Sequence, residues 1–367
     1  MKILIFAGLS KSILLFNRDL VISMIEKGHE VICVGPEIDS KDEFELIGAK
    51  FIQVPFNRYS TNPLTGLKVI KAIKRVIKDE KVDLYYGFQA VPVTYGVMGA
   101  VYAKCPHIYA AMTGAGKIVQ DRPGLFNKFI RFVLTVFTKI SLKRCNKVFF
   151  LNKDNLEYFI EHQIVRKEQA VKVNGSGVNT VKFSFKQMPE QNSFLFVGAL
   201  LRLKGIMEYL NAARIVKKKH PEASFVVVGG IDIRLSAITE EELQPYIDDG
   251  TIEYAGYQKN VVPFYENCSV FVLPSYSEGI PNSVIEAMSV GRPIITTDAT
   301  GCKETVDEGI NGFKVPIGNT DALAEKMIWF IENRDEAKEM GKRARIMAED
   351  IFDVDKVNKV MMETMGI

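Results

Sequence analysis

Apolar segments with the length of buried strands alternate with helical segments along the whole chain. Strands are predicted at residues 2–6, 30–34, 84–87, 107–111 and 147–151 in the first half, and at 194–198, 224–228, 252–254, 270–273 and 293–296 in the second. Strands that alternate with helices form parallel sheets covered on both faces, and such sheets bind ligands at the carboxyl ends of their strands. The pattern therefore predicts an α/β protein with two doubly wound parallel sheets.

A polar segment without a helical or strand period separates the two series at residues 174–192. Its glycines and proline indicate a linker, and a chain of 367 residues is long enough for two domains. The predicted division is an N-terminal domain, a C-terminal domain and a terminal helical segment that returns to the N-terminal domain: residues 1–182, 183–350 and 351–367.

Composition disfavours several classes of protein. No apolar run reaches the 18 residues of a transmembrane helix. The five cysteines are scattered without a Cys-x-x-Cys pair, which favours reduced thiols in the cytosol. The four histidines lie far apart, and Asp353-x-Asp355 at the start of a predicted helix is interpreted as a helix cap, so no metal site is predicted. No Gly-x-Gly-x-x-Gly follows the first strand, which disfavours a nicotinamide cofactor.

Positive charge is concentrated in the first half of the chain. Residues 51–150 contain 16 lysines and arginines against 4 aspartates and glutamates, although the net charge of the whole chain is only +3. Such a region predicts an anionic partner: a phosphate-bearing substrate, a membrane surface or nucleic acid. A solvated basic face without a partner is the alternative. Nucleic acid is not predicted, because no aromatic and basic motif accompanies the charge.

Two glutamates, Glu278 and Glu286, flank the most informative loop. The loop follows the predicted strand at 270–273, contains glycine and proline, and leads into a helix predicted at 283–290. The exposed N–H groups and positive dipole of a helix N-terminus suit a diphosphate. Glu278 can reach ligand hydroxyls, and Glu286, about one turn into the helix, can accept hydrogen bonds from a ribose. These features predict a nucleotide-sugar site; an ordinary turn with two solvated glutamates is the alternative.

Other loops at strand ends contain candidate donor-binding residues. Gly198, which allows close backbone approach, is followed by Arg202 and Lys204, whose charges would offset that of a leaving diphosphate. Gly229 ends another strand. Tyr257 follows a strand and is a candidate for stacking on a base, although core packing is equally plausible.

Residues 278–293 resemble glycosyltransferase family 4. They combine Glu-x7-Glu with Glu-Ala-Met-x-x-Gly-x-Pro, and the segments 174–178, 204–205 and 311–313 also match the family. The resemblance covers nearly the whole chain. It implies a retaining enzyme with the GT-B fold, in which two Rossmann-like domains face a cleft. Within the family, the chain looks most like bacterial enzymes of polysaccharide assembly and N-acetylgalactosaminyltransferases that act on undecaprenyl-diphosphate-linked glycans.

The resemblance also implies substrates and residue roles. The donor would be a UDP-sugar, with UDP-GalNAc and an α-linkage as the best guess, and the acceptor a polyprenyl-diphosphate-linked saccharide. Glu286 would hold the ribose, Glu278 the donor sugar, and Lys204 with Arg202 the diphosphate. No metal or other cofactor is expected. The remaining implied donor-binding residues are Gly8, Gly279, Ile280, Pro281, Asn282 and Ser283.

The acceptor-binding candidates lie in the first half: Asn17, Arg18, Thr113 and Gly114. The sequence departs from the family in two places, since Ala199 replaces the usual arginine and Thr113 replaces a common histidine. Because of these departures we assign no catalytic base. The expected mechanism needs none, since the leaving diphosphate can take the acceptor's proton. A UDP-sugar epimerase-like enzyme and a non-catalytic UDP-sugar-binding subunit are the alternatives.

A helix predicted near residues 126–144 alternates apolar and basic residues. The resemblance places the protein in the cytoplasm at the inner face of the cell membrane, and this helix would bind an anionic bilayer. A buried helix with a basic fringe is the alternative. Its apolar and basic residues are Phe126, Phe129, Phe132, Val136, Phe137, Lys128, Arg131, Lys139, Lys143 and Arg144.

Overall fold

The structure is a computed structural model, and it describes residues 1–57, 63–114, 125–231 and 236–367. The chain divides into two compact units. The first contains Met1–Ser176 and Val357–Ile367, and the second contains Gly177–Lys356. The final residues join the first unit, where the Tyr109 hydroxyl donates a hydrogen bond to the Met365 carbonyl at 3.1 Å.

Within the described residues, the first unit is built on a parallel sheet of seven strands. The strands are β1 (Lys2–Ala7), β2 (Glu30–Gly35), β3 (Lys50–Gln53), β4 (Leu84–Phe88), β5 (His107–Met112), β6 (Lys147–Phe150) and β7 (Ala170–Lys172). Their order is β3-β2-β1-β4-β5-β6-β7. The chain therefore runs from β1 to one side of the sheet and returns to β4 on the other, so the topological switch point lies between β1 and β4.

Helices cover this sheet. They are α1 (Ser10–Phe16), α2 (Arg18–Glu26), α3 (Lys41–Leu46), α4 (Pro63–Glu80), α5 (Val97–Ala103), α6 (Leu125–Leu142) and α7 (Lys153–Glu161), with a π-helical turn at Pro92–Gly96 and a 3-10 turn at Lys167–Gln169. The amphipathic pattern of α4 explains its packing, because Val69, Ile73 and Ile77 are buried while Lys68 and Lys71 are exposed.

The second unit contains a parallel sheet of six strands among its described residues. The strands are β8 (Ser193–Val197), β9 (Ser224–Val228), β10 (Glu253–Gly256), β11 (Val270–Leu273), β12 (Ile294–Thr297) and β13 (Gly312–Val315). Their order is β10-β9-β8-β11-β12-β13, which places the switch point between β8 and β11.

The helices of the second unit follow its strands in the same alternating way. They are α8 (Ile206–Lys219), α9 (Glu240–Asp248), α10 (Val262–Asn267), α11 (Asn282–Ser289), α12 (Thr320–Glu332) and α13 (Arg334–Ile351), with a 3-10 turn at Arg202–Lys204; α14 (Val354–Met365) begins in this unit and ends in the first. No helix in the described ranges is long and apolar enough to cross a bilayer.

The predicted fold class, two doubly wound parallel sheets, is confirmed. Three strands, β3, β7 and β13, were not predicted from the sequence; each has only three or four residues. The sequence pattern also predicts a helix at residues 16–27, which corresponds to α2, whereas the short helix α1 before it was not predicted. These elements depend on tertiary pairing, because their own apolar patterns are too short to define them.

Candidate active site

A lysine–glutamate pair lies at the switch point of the second sheet. Lys204 belongs to the turn that follows β8, and Glu278 belongs to the loop that follows β11. The Lys204 Nζ lies 2.5 Å from the Glu278 Oε1, with the two side chains 29% and 13% exposed. Partial burial shields such a pair from solvent and strengthens it. The pair therefore places a positive and a negative group where sheets of this topology bind ligands.

Backbone and side-chain groups hold the Glu278 loop in place. The Ser275 hydroxyl, which is fully buried, lies 2.9 Å from the Glu278 Oε1 and 3.0 Å from the Leu203 carbonyl. The Glu278 N–H donates to the Thr300 carbonyl at 2.9 Å, and the Tyr276 N–H donates to the Leu203 carbonyl at 2.9 Å. These bonds tie the β11 loop to the loops that follow β8 and β12. Ser275 was not predicted as a site residue, because nothing in its local spacing distinguishes it from other loop serines.

Gly205 allows the two loops to approach each other. It has a left-handed φ of +73°, and a Cβ atom at this position would lie 2.0 Å from the Pro274 carbonyl oxygen. Only glycine avoids both the backbone strain and the clash. The residue ends the turn that carries Lys204 and begins α8, so it sets the position from which Lys204 reaches Glu278.

The N-terminus of α11 follows the Glu278 loop. Pro281 precedes the helix, and no side chain of the described residues caps it. The Val284 and Ile285 N–H groups donate to the Pro281 carbonyl, whereas the N–H groups of Asn282 and Ser283 have no acceptor within the helix. This end of the helix therefore offers hydrogen-bond donors and a positive dipole to an anion.

Glu286 lies in the second turn of α11 and is partly buried. The hydroxyl of Tyr265, a fully buried residue, donates to its Oε2 at 2.8 Å. Burial raises the pKa of Glu286 from its usual 4.5 to about 7, while the Tyr265 hydrogen bond and the positive charge of Lys182 act in the opposite direction. Glu286 is therefore a carboxyl group that changes charge near neutral pH. Tyr265 has no sequence signal that links it to Glu286.

Other predicted donor residues lie at the carboxyl ends of neighbouring strands. Gly198 follows β8, and Gly229 follows β9 and accepts a hydrogen bond from the Tyr254 hydroxyl at 2.9 Å. Tyr257 follows the edge strand β10 and is 74% exposed. Arg202 forms an ion pair with Glu242, outside the Lys204–Glu278 pair. The roles predicted for Arg202 and Tyr257 stay predictions.

The candidate residues of the first unit are only partly brought together. Gly8 follows β1, and Thr113 and Gly114 follow β5, so all three lie at the carboxyl edge of one sheet. Asn17 is buried and Arg18 is exposed, and both follow the seven-residue helix α1, which is about 10 Å long. The loop after Gly114 lies outside the described residues. A donor role for Gly8 stays a prediction, because the Lys204–Glu278 pair belongs to the other unit.

The helix predicted near residues 126–144 is confirmed as α6. Its described apolar side chains include four exposed ones, at 39–66% exposure: Phe132, Val133, Val136 and Ile140. Phe137 instead contacts Tyr95, with the ring centroids 5.4 Å apart. This part of α6 therefore has an exposed apolar face, whereas Thr138, Ser141 and Leu142 of the same helix are buried. The side chains of Phe126, Lys128, Phe129 and Arg131 lie outside the described residues.

Two family models match the chain. The model described as "Glycosyl transferases group 1" matches residues 179–347, and the model described as "Glycosyl transferase 4-like" matches residues 2–152. A relative from Campylobacter jejuni is the N,N'-diacetylbacillosaminyl-diphospho-undecaprenol alpha-1,3-N-acetylgalactosaminyltransferase. It is 27% identical over 370 residues, which cover 97% of this chain and 95% of that protein.

Solved structures share the fold over the whole chain. Sucrose-phosphate synthase from Thermosynechococcus elongatus has a TM-score of 0.83 at 18% identity, and the match covers 99% of this chain and 98% of that chain. HepE from Anabaena, in complex with UDP, has a TM-score of 0.80 at 17% identity and full coverage of both chains. At these identities the likeness establishes the fold alone.

The fold and the family matches together define the class: the protein is a glycosyltransferase with the GT-B architecture of two Rossmann-like units. The predicted enzyme class is thereby confirmed. More particularly, residues 179–347 match the group 1 glycosyltransferases and residues 2–152 match the family 4-like glycosyltransferases. This also confirms the resemblance found in residues 278–293.

Proposed function

We propose that the protein is a retaining transferase that moves a hexose or N-acetylhexosamine from a UDP-sugar to an undecaprenyl-diphosphate-linked saccharide in bacterial glycan assembly. UDP-GalNAc and an α-linkage are the preferred choice. The observation that carries the proposal is the Lys204–Glu278 pair beside the uncapped start of α11. The UDP complex of HepE supports the nucleotide, and the lipid-linked substrate of the Campylobacter jejuni relative supports the acceptor.

The donor would bind along the carboxyl edge of the second sheet. Its diphosphate would accept hydrogen bonds from the N–H groups at the start of α11 and from the Lys204 ammonium group. The ribose hydroxyls would donate to Glu286, and the sugar hydroxyls to Glu278. In this arrangement the diphosphate competes with Glu278 for Lys204, so donor binding exchanges an internal ion pair for a contact with substrate.

The proposed reaction needs no basic side chain of the protein to take the proton of the acceptor hydroxyl. The bond between the sugar C1 and the leaving phosphate oxygen breaks, and a bond from the acceptor oxygen to C1 forms on the same face. The proton of the acceptor hydroxyl passes to the leaving diphosphate. Lys204 and the dipole of α11 stabilise the negative charge that develops on that diphosphate, and we propose that they do so without a metal ion.

The function is tested first by nucleotide specificity. UDP and UDP-GalNAc are expected to raise the melting temperature more than GDP, ADP and their sugars, because binding to the folded state alone stabilises it. A transfer assay with a polyprenyl-diphosphate saccharide, run with and without EDTA, then tests chemistry and metal independence. Stabilisation by GDP alone, or conversion of UDP-GalNAc without an acceptor, would contradict the proposed reaction.

We also propose that α6 carries the protein to the anionic cytoplasmic face of the membrane, where a lipid-linked acceptor lies. The exposed side chains of Phe132 and Val136 would enter the interface, and the basic residues at 139, 143 and 144 would contact the headgroups. The exposure of these apolar side chains supports the proposal, since a long exposed apolar stripe on a helix indicates an interaction surface.

Phosphatidylglycerol vesicles are expected to sediment the wild-type protein in low salt and to release it in high salt. The double variant Phe132→Ser, Val136→Ser should bind about tenfold more weakly, because it removes apolar area from the interface. Val360→Ser is the matched control, since Val360 is an equally exposed apolar residue on another helix of the first unit, at 45% exposure. Equal loss in the control would refute the role of α6.

A further inference from the structure

Gln89 has a backbone conformation that its position does not explain. Four non-glycine residues of the described chain have left-handed φ angles, between 53° and 72°. Lys81, Lys104 and Gln163 follow the C-termini of helices, where this conformation is common. Gln89, with φ of 72°, instead follows strand β4 directly. A strained residue at a strand end is retained only when its surroundings hold it there, and such residues cluster at ligand sites.

The Gln89 side chain connects two strands across the switch point of the first sheet. The Gly8 N–H donates to the Gln89 Oε1 at 2.9 Å. Gly8 follows β1 and Gln89 follows β4, and these strands are paired with Ala7 opposite Phe88. A Cβ atom on residue 8 would lie 2.9 Å from the same Oε1, so glycine permits this approach. The bond occupies the place in the first sheet that the Lys204–Glu278 pair occupies in the second.

The direction of this bond determines what the amide offers. Since the Gly8 N–H is a donor, the oxygen of the amide faces Gly8 and the nitrogen is the other terminal atom. No group in the described part of the chain accepts a hydrogen bond from that nitrogen, and the side chain is half-buried. Two N–H donors are therefore held by a fixed amide at the edge where a doubly wound sheet binds its ligand.

We propose that Gln89 binds the acceptor substrate, donating from its amide nitrogen to an acceptor oxygen while its carbonyl holds the Gly8 turn. The oxygen is either a diphosphate oxygen or a sugar hydroxyl, since both accept from an amide. The inference rests on the proposed function, because it assigns the ligand of the first unit to the acceptor.

The test measures binding of a short-chain polyprenyl-diphosphate N-acetylhexosamine by calorimetry without donor, and transfer kinetics in parallel. Gln89→Ala and Gln89→Gly are expected to raise the acceptor Kd and KM about tenfold, the effect of one lost hydrogen bond, and to change the KM for the UDP-sugar by less. Glycine relieves the left-handed strain whereas alanine does not. A wild-type acceptor Kd in Gln89→Gly would therefore overturn the proposal.

Gln89→Glu identifies the oxygen that is bound. The carboxylate can still accept the bond from Gly8, but it carries no N–H group and adds a negative charge. A Kd above that of Gln89→Ala assigns a diphosphate oxygen, and a Kd below it assigns a sugar hydroxyl, which can donate to the carboxylate.

Gln163→Ala and Gln163→Gly are the matched controls, because Gln163 has the same side chain and a left-handed φ of 53° after a helix. Both should bind the acceptor like the wild type. If the wild-type protein binds the acceptor but transfers no sugar to it, the proposed reaction is refuted. The acceptor Kd values of the Gln89 variants then still decide whether Gln89 binds the acceptor. Unchanged acceptor binding in all Gln89 variants of an active enzyme would refute only the role of Gln89, and a wild type that binds no acceptor would refute both.

Discussion

Lys204→Ala is expected to lower kcat/KM for transfer about 10²–10³-fold, the usual effect of removing one preorganised group that stabilises developing charge. The ammonium group is held 2.5 Å from Glu278 at the switch point of the second sheet, so its position is set before the donor binds. Most of the loss should appear in kcat, because the charge on the leaving diphosphate grows as the sugar–phosphate bond breaks. Steady-state kinetics with a UDP-sugar and a lipid-linked acceptor measure it.

Two further variants serve as controls for the Lys204→Ala result. Lys218→Ala makes the same substitution as Lys204→Ala at an exposed lysine of α8. It should retain wild-type kinetics. Arg202→Ala removes the cation that is engaged with Glu242, and its effect should be much smaller than that of Lys204→Ala. If Arg202→Ala instead abolished transfer while Lys204→Ala stayed near wild type, the stabilising charge would belong to Arg202.

The affinity for a UDP-sugar is expected to weaken as the pH falls below about 7, by up to tenfold for each pH unit. Burial raises the pKa of Glu286 to about 7, and the ionised carboxylate is the better acceptor for ribose hydroxyls. Lowering the pH converts Glu286 to the neutral acid and removes this acceptor. Calorimetry with a UDP-sugar is the suitable measurement, because free UDP has a terminal phosphate that itself titrates near pH 6.

The free energy of unfolding should decrease as the pH rises, whereas the affinity for the UDP-sugar should increase. The folded pKa of Glu286 lies above its ordinary value, so the folded state binds the proton more tightly between pH 4.5 and about 7. The free energy of unfolding contributed by this group therefore falls as the pH rises through that window. Glu286→Gln keeps an oxygen for the Tyr265 hydroxyl but cannot ionise, and it should abolish both pH dependences. If it retains the wild-type profiles, Glu286 is not the titrating group.

Local patterns predicted a large part of this molecule. The apolar periods at residues 206–219 and 354–365 predict helices there, and both helices agree with the structure, because a long stretch with a clear period identifies a helix from local sequence. The start of α11 was predicted within one residue, because glycine and proline in the preceding loop mark its beginning. The resemblance of residues 278–293 to glycosyltransferase family 4 was likewise evident from the sequence alone.

Partners of the site side chains could not be predicted in the same way. Arg202 contacts Glu242, which is 40 residues later in the chain, and its role at the diphosphate stays a prediction. Tyr265 forms a hydrogen bond with Glu286, which is 21 residues away in the sequence. Gln89 forms one with Gly8, which is 81 residues away. Such contacts depend on where whole strands and helices lie in the sheet, and no local period carries that information.

The order of apolar and polar residues along the chain was sufficient to determine two parallel α/β sheets and a glutamate-flanked loop before a helix, because strand and helix periods act over a few neighbouring residues. Tertiary structure alone decided the strand order. That order set the two switch points and with them which groups meet there: Lys204 with Glu278 in one unit, and Gly8 with Gln89 in the other. The physical reason is that these pairs join residues more than 70 positions apart, which only the packing of the sheets brings within hydrogen-bond distance.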